Sequence, residues 1–130
     1  MWYRWFDEKL PKCSIAPLGQ LLTLFDLLKE WFGRDDFYGC IFLNAVAEHD
    51  KESGWVRTFA LDHRRNVDRR VIALLQSAGA PSPERLTDKI AMVIDGAIIA
   101  AMVTGDASVA DLARETTADL LTAAGLQLPI

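Results

Sequence analysis

The sequence predicts an all-α domain of about six helices. Apolar residues recur at spacings of three and four, and runs that alternate in the manner of a half-buried strand are scarce. Proline and glycine cut the chain into pieces of helical length. At 130 residues the chain is read as a single domain able to bury one modest core.

Taken in order, residues 1–10 set Trp2, Trp5, Phe6 and Lys9 at helical spacing before Pro11 forbids continuation, which reads as the end of a helix. Residues 14–32 place Leu18, Leu21, Leu22, Phe25, Leu28 and Phe32 on one stripe, with Leu24, Leu27 and Trp31 beside it and Gly33 as the stop. So wide an apolar arc needs cover on more than one side. After the turn-like GRDDFYG, a helix over about 39–49 carries Cys40, Asn44 and Glu48 on one polar stripe, amid Phe42, Leu43, Val46 and Ala47. DKESG breaks it.

A longer helix runs from about Trp55 to Ala78, with Val56, Phe59, Ala60, His63, Val67, Val71, Leu74 and Ala78 inward and Arg57, Arg64, Arg65, Asp68 and Arg69 on the other face. Gly79 and Pro81 end it. Ser82-Pro83-Glu84 opens a helix over 83–104 that is apolar nearly all round. Thr104-Gly105-Asp106 then turns tightly into a last helix over 106–124, capped by Asp106 or Ser108, and so short a connection makes the two an antiparallel hairpin.

Composition excludes several classes. A net charge of −4 lacks the basic footprint of a module that grips phosphates. The two cysteines, Cys13 and Cys40, have no disulfide or metal spacing and read as cytoplasmic thiols. His49, Glu48, Asp50 and Cys13 likewise lack a ligand pattern, so no metal or other cofactor is expected. The apolar run at 90–103 is too short to span a bilayer and contains Asp95, and the first residues lack a signal-peptide core. No motif pairs a nucleophile with a base, which argues against an enzyme and leaves no catalytic residue to name.

A helix that is apolar all round must be covered all round. Gly96, Ala100 and Thr104 form one row of small residues and Ala97 and Ala101 another, admitting a close second helix. A symmetric four-helix interface between two copies of the last hairpin is therefore expected, with Ile94, Ala97, Ile98, Ala101, Val109, Leu112, Ala113 and Leu120 in it.

The segments LLTLFDLLKEWF, GCIFLNAVAEHD, FALDHRRNVDRRVIALLQSAGA and IAMVIDGAIIAAMV resemble the C-terminal ligand-binding and dimerisation domain of tetracycline-repressor-like (TetR) transcriptional regulators, from about residue 14 onward. Gly39-Cys40 followed by Phe42, Leu43, Asn44, Ala47 and Glu48 looks like the signature of one large branch, and Asp95-Gly96 adds to it. Ile41 departs, standing where many relatives have proline or leucine. The resemblance implies a homodimeric body with a small-molecule effector pocket. DNA would be reached only through a helix-turn-helix head that this chain does not carry, joined to the helix ending at Leu10. A rival reading is a headless interaction protein that heterodimerises with a full-length regulator.

On that reading the pocket candidates are Trp31, Phe37, Cys40, Phe42, Asn44, Phe59, His63, Val67 and Asp95. Each has a plainer alternative. Asn44 and Glu48 either orient a ligand or satisfy backbone groups at neighbouring helix ends. Cys40 serves as a small buried filler, the aromatics as core, and His63 as a satisfied core histidine. Asp95, costly if buried alone, is either paired with an arginine or backbone donor or turned to the pocket. The HRRNVDRR run reads as a solvated face rather than a DNA contact.

Overall fold

The computed structural model describes residues 7–9, 16–48 and 54–129, except the side chains of residues 41–43. Five helices follow in order: α1 (Pro17–Phe32), α2 (Ile41–Glu48), α3 (Gly54–Ser77), α4 (Pro83–Thr104) and α5 (Val109–Ala123). Residues 7–9 are helical as well. With that segment the described chain holds six helical pieces and no strand, so the fold is all-α. The expected contacts of Trp2, Trp5, Phe6, Cys13 and His49 lie outside the described residues.

α1 starts at Pro17 rather than near residue 14, since proline at the first helical position loses no hydrogen bond and its fixed φ suits the helix. Its wide apolar arc is covered as its width requires. Leu18, Leu21, Leu22, Leu24, Phe25, Leu27, Leu28 and Phe32 are all buried, with α1 packed on both α5 and α3. α4 also packs on α5 and α3, and α2 rests on α3. The deepest side chains, Leu21, Phe25, Leu28, Leu75, Ile90 and Leu121, come mostly from α1, α4 and α5. Removing each from water contributes roughly 1.5–3 kcal/mol.

The α4–α5 turn depends on Gly105. Its φ of 67° lies in the left-handed region that a side chain disfavours, and its N–H closes the helix on Ala101 O at 2.9 Å. The Asp106 carboxylate then accepts the Ser108 N–H at 2.9 Å. Ser82 and Ser108 occupy the N-cap positions of α4 and α5, but neither side chain makes the expected capping bond.

The hairpin forms, but its outward face differs from the expected one. Ile94, Ala97, Ile98, Ala101 and Ala113 are buried within this chain, at most 6% exposed, so they have no surface left for a partner. Val109 and Leu120 are half-buried against the core, and of the eight only Leu112 points outward. The apolar surface left over on α4 is instead a row formed by Met92, Ile99 and Val103, with exposed Gly96 within it. α4 turns Ile90, Ile94 and Ile98 inward, where they fill space, and leaves Met92, Ile99 and Val103 to solvent. No helix among the described residues is long and apolar enough to cross a membrane.

Candidate functional site

α3 carries few buried residues for its length. Only Val56, Val71 and Leu75 qualify in 24 positions, because between its upper half and α4 the chain leaves a cavity of about 470 Å³. That volume suits a small organic molecule.

Four parts of the chain wall the cavity. α3 contributes Arg57, Ala60, Leu61, His63, Arg64, Val67, Asp68 and Val71. α4 contributes Thr87, Ala91, Ile94, Asp95 and Ile98, a stripe at helical spacing. Trp31 at the end of α1 and Gly39-Cys40 ahead of α2 complete it. Trp31 is held in place from behind, where Phe37 meets it edge to face with ring centroids 4.8 Å apart and also packs on Phe32, centroids 5.1 Å apart.

Gly39 lies at the entrance to α2 with φ at 89°, in the left-handed half of backbone space. It abuts the thioether of Met102 so closely that a Cβ would collide with it. This contact seats the start of α2 against the end of α4. Asn44 then fixes the loop, its side-chain amide donating to Tyr38 O at 2.9 Å. Asn44 therefore satisfies a backbone carbonyl near a helix start and does not line the cavity. Glu48, one turn on, is exposed.

Polar groups concentrate on the α3–α4 side. The Arg64 guanidinium donates to the Asp95 carboxylate across the two helices, so Asp95 both has an arginine partner and faces the cavity. His63 is held below the usual imidazole range, first by burial and next by the Arg64 charge, with Asp95 opposing. Asp68 is raised above the usual carboxylate range, chiefly by burial; Asp88 and Asp95 add to this and Arg64 opposes it. Asp68 Oδ1 and Thr87 Oγ1 are buried and make no hydrogen bond among the described residues.

Of the nine pocket candidates, Trp31, Cys40, His63, Val67 and Asp95 meet at this cavity. Phe37 only buttresses Trp31. Phe59 is 61% exposed and stacks edge to face on Trp55; it alone of the expected α3 stripe turns to solvent, at the edge of an arc on which Val56 and Val71 are buried and Ala60, His63 and Val67 face the cavity. Phe42 sits in α2 with its side chain outside the described set. Arg64, Asp68 and Thr87 were not among the candidates. The lone Asp95 in an apolar run was the available signal for Arg64, since such a carboxylate calls for a cation on the helix beside it.

Residues 17–117 match the family described as Tetracyclin repressor-like, C-terminal domain. The chain belongs to this family. Comparison with curated proteins and with solved structures gave no match. The family places the TetR-like domain among transcription regulators, a non-enzymatic kind, and implies the ligand-binding and dimerisation body of a dimeric regulator that binds small-molecule effectors.

Proposed function

We propose that this TetR-like domain senses a small, mostly apolar effector in the α3–α4 cavity and acts as a homodimer in a cytoplasmic regulator, most simply a repressor. The observation that carries this reading is the cavity itself, an apolar space of about 470 Å³ with a few convergent polar groups on one side. α3 is the element through which binding acts. Below the cavity its Arg70 grips Asp7 with two hydrogen bonds, Nε to Oδ1 at 2.6 Å and Nη2 to Oδ2 at 2.7 Å. A shift of α3 is thereby passed to the helical residues 7–9, on the side where a DNA-reading head would join. A differential affinity of ~1–3 kcal/mol between two positions of α3 suffices to change the spacing of two heads on successive major grooves.

Dimerisation uses the exposed apolar row Met92, Ile99 and Val103 of α4 with Leu112 of α5. Both claims are tested together by sedimentation equilibrium and a thermal-shift screen of small molecules. The expected result is a dimer that Ile99→Glu dissociates, and ligand-induced stabilisation that Ala60→Phe, which fills the cavity, abolishes. Stabilisation unaffected by Ala60→Phe would overturn the site. A dimer indifferent to Ile99→Glu and Val103→Glu would overturn the interface. A headless body that pairs with a full-length regulator is distinguished by subunit exchange with a headed relative.

A further inference from the structure

Resting on the sensing role proposed above, we infer that the effector is an uncharged molecule, and that the Arg64–Asp95 pair sets this selectivity by cancelling charge on the cavity wall.

Among the described residues, four charged side chains line the cavity: the carboxylates of Asp68 and Asp95 and the guanidinium groups of Arg57 and Arg64. Their charges sum to zero. His63 adds none near neutral pH, because burial and the Arg64 charge hold its imidazole below the usual range. Arg64 of α3 and Asp95 of α4 are bonded to each other and only partly exposed, and one oxygen of Asp68 is fully covered, out of a ligand's reach.

The balance penalises ions of either sign. An ion that enters gives up its hydration, and the pair offers it nothing in return while each partner is engaged by the other. To gain a counter-charge it must part Arg64 from Asp95 and strand one of them in the wall, which costs more than leaving the pair intact. An uncharged molecule disturbs neither partner, and its body lies against Trp31, Val67, Val71, Ala91, Ile94 and Ile98.

The experiment is isothermal titration of the domain at neutral pH with octanol, octylamine and octanoate, which share one apolar body. Octanol is expected to bind roughly tenfold more tightly than either ion. A general aversion to ions would give the same order, so variants decide between the two accounts. Arg64→Gln leaves the Asp95 carboxylate unanswered and should bring octylamine level with octanol or ahead of it. Asp95→Asn leaves the guanidinium unanswered and should do the same for octanoate. Arg57→Gln, at an exposed position where the fold tolerates change, should raise octylamine relative to octanoate by about twofold. An ion preferred by the unaltered domain, or an order unchanged in Arg64→Gln or in Asp95→Asn, would overturn the inference and leave the sensing role standing. Should either of these variants fail to fold, an unchanged ratio of octylamine to octanoate in Arg57→Gln would overturn it as well. Binding of none, or octanol binding that survives Ala60→Phe, would overturn the sensing site and the inference with it.

Discussion

Arg64 and Asp95 face each other across the cavity and join α3 to α4 by an ion pair of which about a third of each side chain remains exposed. Such a pair stands between the negligible worth of a surface bridge and the high cost of stranding a buried charge. Arg64→Ala should destabilise the domain by about 1–2 kcal/mol in urea unfolding. Arg64→Met combined with Asp95→Leu should recover most of that, because no charge is then left alone in the wall. Strict additivity in the double-mutant cycle would mean that the two residues do not interact.

The two unpartnered threonines make a contrast. Thr117 lies wholly inside the core of α5, 0% exposed, and its hydroxyl meets no partner among the described residues. Thr117→Val should therefore raise stability by about 1 kcal/mol with no change in ligand binding. Thr87→Val, at a residue on the cavity wall, should raise stability similarly.

His63 and Asp68 give the pH profile opposite slopes. Because the folded-state pKa of His63 lies below the ordinary 6.5, the unfolded chain binds the extra proton, and stability falls as pH drops below 6.5 until the folded value is reached. Asp68 lies above 3.8, so the folded chain binds the extra proton, and stability falls as pH rises from 3.8 through the folded value. His63→Gln should flatten the first slope, and Asp68→Asn should remove the second and increase stability at pH 7. Direct titration of the His63 ring by NMR should show a midpoint under 6.5; a midpoint above it would contradict the burial that the fold assigns.

Arg70 holds Asp7 below the usual carboxylate range, first through the hydrogen bond. Asp7 therefore contributes stability that is present above pH 3.8 and lost as pH falls through its folded value. Both side chains are well exposed, so the global effect of Arg70→Ala should be under about 1 kcal/mol. Locally it should be larger, with amide exchange at residues 7–9 accelerating while exchange in α5 stays unchanged. Equal acceleration in both would deny the pair any local role.

Gly39→Ala forces a side chain into a positive-φ position and against Met102. A loss of about 1–2 kcal/mol is expected from the backbone alone. Pairing it with Met102→Ala relieves only the collision. The residual loss in the double variant measures the backbone term.

The helices could be read from the sequence because their cause is local. The eight buried residues of α1 announce themselves by period, and Gly105 marks its turn whatever surrounds it. The cavity was less legible, since it is a place where the chain declines to pack. Period assigns apolar residues inward, but a cavity wall admits Arg64 and Asp68 beside them, so the stripe of α3 holds at Val56, His63, Val67 and Val71 while Phe59, at its edge, faces water. The outer face of α4 was misassigned for a related reason. A helix apolar all round gives no periodic hint of which side its own chain will cover, and here Ile90, Ile94 and Ile98 lie inside while Met92, Ile99 and Val103 stay out.

The uneven burial of α3 has a mechanical consequence. α1, α4 and α5 lock into a stiff slab, while the upper half of α3, with α2 resting on it, leans on that slab across a gap and is pinned by single points: the Arg64 bridge, the Gly39 seat and Trp31. A molecule filling the gap would push on the compliant member and leave the slab unstrained. The restoring force it works against is that of a few contacts rather than of a packed core, so modest binding energy becomes displacement. Mutations in the gap can accordingly retune what is sensed without touching the material that keeps the domain folded.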